Sequence, residues 1–150
     1  MLKIGDKMPY FEVLDQDGRT VSSSDLLGKK TVIYFYPKDN TSGCTAEACN
    51  LRDNYEALKA RGYNVVGVSK DSAASHRRFA DKYSLPFTLL SDTSTQMLQA
   101  FGVWGEKKMY GKTVMGTRRW TFIFDEDGTL TEIIDKVDTS DHASQILGNE

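Results

Sequence analysis

The sequence predicts an α/β protein built on a mixed central sheet with helices on both faces. Three observations carry this reading. Short apolar runs of strand type alternate with stretches whose apolar residues recur at steps of three and four. Two acidic turns ending in glycine, Asp15-Gln-Asp-Gly18 and Asp125-Glu-Asp-Gly128, each sit between strand-type segments and mark hairpins. At 150 residues, with no linker, repeat or low-complexity stretch, the chain suits one compact domain with a sizeable core.

The elements follow in order. Phe11 to Leu14 and Arg19 to Val21 form an N-terminal hairpin, and Ser24 to Gly28 is a short helical turn ended by glycine. Thr31-Val-Ile-Tyr-Phe-Tyr36 is a buried strand that runs into a Pro/Gly loop. A helix is expected from about Cys44 to Ala60. Ala48, Leu51, Tyr55 and Leu58 lie on one face, and Gly62 stops it. Tyr63 to Val68 is a second buried strand, and a helix is expected over about 73–83. Phe87 to Leu90 is a short strand, 94–101 a helix, and 120–124 with 129–134 a second hairpin. A terminal helix over about 141–147 closes the chain. Alternation of strand and helix implies parallel pairing, and the late hairpin adds antiparallel edges. That is the thioredoxin-like architecture with an N-terminal β-hairpin extension.

Composition narrows the function. Hydrophobic content of 39% and charged content of 27% are those of an ordinary soluble protein. Net charge is −2 and the basic pairs are scattered, so no nucleic-acid or membrane surface is expected. The first residues hold no apolar run long enough for a signal peptide or a span. A cytoplasmic protein is expected, and two cysteines in a reducing compartment point to chemistry rather than a structural staple.

Those cysteines, Cys44 and Cys49, are the most informative residues. Cys44 lies where the loop after a buried strand enters a helix. A helix start carries partial positive charge and free N–H groups, which favour the nucleophilic thiolate over the thiol. Cys49 follows five residues later. On a regular helix the two Cα atoms lie roughly 8.6 Å apart, and a disulfide needs less than about 7 Å. Either Cys49 is an inert helix residue, or it resolves Cys44 after the first turns unwind.

Other motifs are weaker. A zinc site would need histidine ligands, but His76 and His142 lack the paired spacing. His76 shares a stripe with Phe79, Ala80 and Tyr83 and reads as a rim or core residue, and His142 as a solvated one. Gly105 to Thr113 has five residues between its glycines where a phosphate loop has four, and it precedes a strand pattern. Asn40-Thr-Ser42 is a sequon without a route to secretion, and the acidic turns lack the remaining calcium ligands. Arg118 and Arg119 enter a strand, so alternation sends them to opposite faces, with Arg119 on the side of Thr121 and Ile123. From pattern alone they are either solvated or one of them reaches the thiolate. Thr41 is either a turn residue or a hydroxyl available to a ligand near Cys44.

Pro37-x-x-x-Thr41-x-x-Cys44 resembles the active-site signature of the peroxiredoxins. The runs Tyr34 to Thr41, Gly43 to Thr45, Ala48 to Asp53, Phe87 to Asp92, Phe101 to Lys107 and Arg119 to Ile123 are similar to the peroxiredoxin Q group, also called bacterioferritin comigratory protein. The resemblance covers almost the whole chain. It implies a thiol-dependent peroxidase without metal or organic cofactor, reducing hydrogen peroxide and organic hydroperoxides and recycled by thioredoxin or a similar dithiol. It implies Cys44 as peroxidatic and Cys49 as resolving residue, joined as an intramolecular disulfide. It makes Arg119, not Arg118, the active-site arginine, with Thr41 binding peroxide and Pro37 limiting water access. An internal resolving thiol removes the need for a partner's, so a monomer is expected. The family's usual proline is replaced here by Ser42, which should loosen the loop before Cys44. Two other readings are a thiol–disulfide oxidoreductase, which the missing Cys-x-x-Cys spacing disfavours, and a redox-responsive binding or chaperone module that peroxide oxidises without rapid turnover.

Overall fold

The structure, a computed structural model, describes residues 2–148. Seven strands form one mixed sheet. Its centre is parallel: β3 (Lys30–Phe35), β4 (Tyr63–Ser69) and β5 (Thr88–Ser91). The hairpin of β1 (Glu12–Asp15) and β2 (Thr20–Ser22) joins antiparallel beside β5. The late hairpin, β8 (Thr121–Phe124) and β9 (Leu130–Ile134), joins antiparallel beside β3. The thioredoxin-like sheet and its N-terminal extension are therefore present.

Strand alternation divides the core into two layers. Val32, Tyr34 and Val65 face one side, where α1 (Ser42–Asp53), α2 (Tyr55–Ala60), α3 (Ala73–Tyr83) and α5 (His142–Leu147) pack. Ile33, Phe35, Val66 and Val68 face the other, covered by α4 (Gln96–Ala100), Leu26 of a short 3-10 turn and Phe11. Gly67 of β4 is required by the first layer. A Cβ there would lie 2.8 Å from the Tyr34 ring and 2.9 Å from Leu89.

Two expectations change. The helix expected over 44–60 is broken at Asn54 (φ −109°, ψ 13°) into α1 and α2. The Asn54 side chain donates to the Asn50 carbonyl at 2.8 Å, and its own N–H reaches that carbonyl at 3.2 Å. An asparagine side chain that competes for backbone groups ends a helix which the apolar spacing alone would carry through. The stretch around Gly105 to Thr113 is a separate hairpin, β6 (Trp104–Met109) and β7 (Lys112–Thr117). Tyr110 (φ 52°) and Gly111 (φ 77°) both adopt the left-handed conformation that a two-residue hairpin turn demands. Its side chains are largely exposed, so it carries no apolar alternation to announce it.

Candidate active site

The site lies where β3 hands the chain to α1. Pro37, half-buried, follows the last residues of β3, and Thr41 in extended conformation (φ −90°, ψ 158°) precedes the helix. Cys44 is the third residue of α1, after Ser42 and Gly43. The first amide to bond within the helix is Thr45 N–H, to the Thr41 carbonyl at 2.8 Å. The amides of Ser42, Gly43 and Cys44 therefore lack intrahelical acceptors and lend positive potential to the sulfur.

Arg119 supplies the full charge. Its Nη2 donates to Cys44 Sγ at 3.1 Å and its Nη1 to Glu47 Oε1 at 2.7 Å. The planar fork fits this double contact, which a lysine could not reproduce. The guanidinium sits before β8 on the face of Thr121 and Ile123, while Arg118 is exposed. Burial works against the Arg119 charge, but Cys44 and Glu47 outweigh it and hold its pKa above the ordinary value. Gly43 keeps the guanidinium edge open, because a Cβ there would already touch Arg119 Nη2 at 3.4 Å. Lys107 approaches as a second cation. Its ammonium donates to the Thr117 carbonyl at 2.8 Å, and burial together with the Arg119 charge lowers its pKa.

Glu47 was not anticipated as a functional residue. It lies one turn after Cys44, on the stripe that also holds Ala48 and Leu51, and is fully buried. A carboxylate on an apolar helix stripe is the signal that could have found it. Oε2 has no hydrogen-bond partner among the described residues, and burial raises the carboxyl to about 7 against the opposing pull of Arg119. Behind it stands His142, 3.7 Å from that oxygen.

His142 is buried, contrary to the solvated position expected of it. The start of α5 packs against α1. Asn50 of α1 accepts the Ala143 N–H at 2.8 Å and donates to the Ser140 carbonyl at 3.2 Å, which draws the histidine under the sheet. His142 Nδ1 lies 2.8 Å from Gln145 Oε1, an acceptor only, so Nδ1 carries the proton. Nε2 then accepts from the Thr121 hydroxyl at 2.8 Å. Burial lowers the His142 pKa, in keeping with this neutral form. The Tyr34 hydroxyl is buried in the same layer with no partner among the described residues. Burial, then the charges of Glu47 and Cys44, push its phenol well up.

The remaining sequence candidates are less engaged. The Thr41 hydroxyl donates to the Lys38 carbonyl at 2.9 Å, leaving its lone pairs free. Cys49 is half-buried on the same helix as Cys44, and both thiols are free. His76 lies in the core rather than at the rim, one of the two positions its stripe allows.

Residues 4–133 match the model of the AhpC/TSA family. Peroxiredoxin Bcp of Escherichia coli (strain K12) is 47% identical over 146 residues, covering 97% of this chain and 94% of that one. Peroxiredoxin Bcp of Bacillus subtilis (strain 168) is 44% identical over 146 residues, with 97% and 93% covered. Among solved structures, a mutant of Xylella fastidiosa PrxQ superposes with a TM-score of 0.92 at 31% identity, covering 99% of this chain and 95% of that one. Xanthomonas campestris bacterioferritin comigratory protein superposes with a TM-score of 0.87 at 34% identity, with 93% and 88% covered. The chain belongs to the AhpC/TSA family and, within it, to the thiol-dependent peroxidases of the peroxiredoxin Q, or Bcp, group.

Proposed function

We propose that Cys44 is the peroxidatic nucleophile and Cys49 the resolving thiol of this peroxidase. The Cys44 thiolate attacks one peroxide oxygen and the O–O bond breaks. Cys44 becomes a sulfenic acid, and the other oxygen leaves as hydroxide or alkoxide, which takes up the proton that the thiol released on ionising and becomes water from hydrogen peroxide or an alcohol from an organic hydroperoxide. Arg119 and the free amides at the start of α1 bind the peroxide oxygens and stabilise the charge that develops as the bond breaks, while the Thr41 hydroxyl, its own proton on the Lys38 carbonyl, accepts from the peroxide O–H. Pro37 shields the site from water. Cys49 then attacks the sulfenic sulfur, water leaves, and an intramolecular disulfide forms. Thioredoxin, or another dithiol protein, takes up the oxidising equivalents.

The observation that carries the reading is the Arg119 fork, with one nitrogen on the Cys44 sulfur and the other on a buried carboxylate. That geometry favours a charged nucleophile and holds a cation beside the reacting oxygen. The Xanthomonas campestris relative is described for alkyl peroxide reduction, which supports organic hydroperoxides as substrates beside hydrogen peroxide. An internal resolving thiol makes a single-domain monomer the proposed working unit. No helix among the described residues is long and apolar enough to cross a membrane, and the cytoplasm, with its dithiol reductants, is the proposed compartment.

Peroxide consumption with a thioredoxin system tests the reading. Wild type turns over and Cys44→Ser does not. A Cys44→Ser enzyme that keeps most of its rate contradicts the mechanism.

A further inference from the structure

The loop 37–41 carries Pro37 and Thr41 to the site, yet its composition and that of the helix start after it do little to hold it. Ser42 stands where a proline would restrict the chain, and Asn40 adopts a left-handed backbone (φ 61°). What holds the loop is Asp39, whose side chain is only 4% exposed. Its Oδ1 accepts from the Tyr36 hydroxyl at 2.6 Å, and its Oδ2 from the Ser75 hydroxyl at 2.8 Å. Its backbone N–H donates to Asp71 Oδ2 at 2.9 Å. The remaining partner of Oδ2 is His76 Nδ1, at 2.7 Å. The other ring nitrogen, Nε2, lies 2.9 Å from the Leu90 carbonyl of β5.

A carbonyl oxygen accepts and never donates, and so does a carboxylate. With one on each side, both nitrogens of His76 must carry protons. Resting on the reading of Cys44 as nucleophile, we propose that His76 is a positioning residue for its chemistry, a buried imidazolium paired with Asp39 that braces the loop 37–41. The pair ties the loop to α3 through His76 and Ser75, to β5 through Leu90 and to the end of β3 through Tyr36. The charges cancel, so a fully enclosed cation needs no solvent. Hydrogen bonds from His76, Tyr36 and Ser75, with the His76 charge, overcome the effect of burial and hold the Asp39 carboxyl below its ordinary value. The other ionisable groups around the pair are the Tyr36 phenol, Asp71, and Arg78 and Lys82. The last two line, with Asp39, an open cavity of about 330 Å³. Asp39, Asp71 and His76 bring ligand-type atoms within 4.8 Å of one another. Protein donors already engage both carboxylates, and His76 faces two acceptors, so pairing accounts for the cluster without a metal ion.

The brace also separates what moves from what stays. Formation of a Cys44–Cys49 bond unwinds the start of α1, while a loop pinned at Asp39 keeps Pro37 and Thr41 in place for the next cycle. Asn40 adds to the hold, its Oδ1 accepting from Lys82 Nζ and the Tyr83 hydroxyl, each at 3.2 Å.

The test uses the full-length reduced enzyme. The chain has two histidines, so nitrogen-15 imidazole spectra are assignable with one variant. At neutral pH His76 is expected to show two protonated nitrogens and His142 one. Stopped-flow measurement of a single turnover then follows Cys44 oxidation in His76→Leu and Asp39→Asn. Each is expected to slow it about 10-fold or more while the protein stays folded, because small displacements of positioning groups cost up to about 10²-fold. Should His76→Leu fail to fold, Asp39→Asn carries the kinetic comparison. A His76 ring with one proton overturns the proposal, as does a ring that loses a proton to added Zn²⁺ in the folded enzyme. Folded variants that oxidise at the wild-type rate also overturn it. Cys44→Ser run in the same assay separates this failure from failure of the nucleophile assignment, since only the latter leaves peroxide reduction intact.

Discussion

Replacing Glu47 by Gln tests the electrostatics beneath the thiolate. Glu47 is fully buried, with one oxygen held by Arg119 and the other unpartnered among the described residues. Burial outweighs the arginine and carries the carboxyl from its ordinary 4.5 to about 7. Below pH 4.5 the group is protonated in both folded and unfolded chains, and a glutamine, which mimics the protonated acid, changes little. Between pH 4.5 and 7 the folded protein keeps a proton that the unfolded chain releases, so the wild type loses stability relative to the variant as pH rises. Above pH 7 the gap is complete. At about 1.4 kcal/mol for each tenfold change it amounts to roughly 3 kcal/mol, or a Tm difference of roughly 6–12 °C for a chain of this size. His142, whose pKa is lowered by burial, contributes the opposite slope. Its stabilisation is present above its unfolded value near 6.5 and is lost as pH falls. His142 lies 3.7 Å from the replaced carboxyl, so the two are coupled, and the gap is read above pH 6.5, where His142 is neutral folded or unfolded and adds nothing to the difference. Urea unfolding of reduced wild type and Glu47→Gln, from pH 4.5 to 8, measures the gap directly. A gap that does not change with pH, or a variant less stable at pH 8, would show that the Arg119 contact outweighs burial and refute the reasoning.

Three further outcomes follow from the geometry. Ser42→Pro should stabilise the reduced protein by about 0.4–1 kcal/mol in urea unfolding. Position 42 is the first residue of α1, and Thr41 already has the extended backbone required before proline; a loss of stability contradicts this. Arg119→Ala should slow Cys44 oxidation by about 10²–10³-fold, by analogy with removing an oxyanion donor. Arg119→Lys should recover only part of that, Arg118→Ala should change little, and stopped-flow oxidation reversing the two arginines would reject the face assignment. Cys49→Ser should consume one equivalent of peroxide, stall as a sulfenic acid and over-oxidise; sustained thioredoxin-driven turnover would show that an external thiol resolves Cys44.

The architecture was legible because burial imposes periodicity. The strands at 31–36 and 63–68 and the helix at 73–83 are apolar where they meet the core, and they appear within a residue of expectation. The β6–β7 hairpin faces solvent along most of its length, so packing leaves no imprint on it, and only Tyr110-Gly111 marks its turn. The break at Asn54 depends on one side chain bonding one carbonyl, a choice that apolar spacing does not register. At the site, Cys44 was legible from local context, a strand, a loop and a helix start. Its selection of Arg119 over Arg118 came from family resemblance, with parity supplying only which face each would take. Glu47, His142 and Thr121 come together from α1, α5 and β8. No spacing along the chain encodes that meeting, although a charged residue on the Cys44 stripe hinted at it. The Asp39–His76 pair spans two elements in the same way. The stripe of His76 allows a rim or a core position, and the structure takes the core, but no spacing announces its carboxylate partner.

The most direct test of the central assignment is the state of the cysteines after one equivalent of peroxide. Both lie between Lys38 and Arg52, in a single tryptic peptide covering residues 39–52. On a regular helix they are roughly 8.6 Å apart, beyond disulfide reach, so a bond between them requires the start of α1 to unwind. Mass spectrometry under non-reducing conditions should find that peptide lighter by two hydrogens, closed to alkylation until reduced, on a chain that remains monomeric. A disulfide-linked dimer, or a stable Cys44 sulfenic acid with Cys49 open to alkylation, would contradict the assignment.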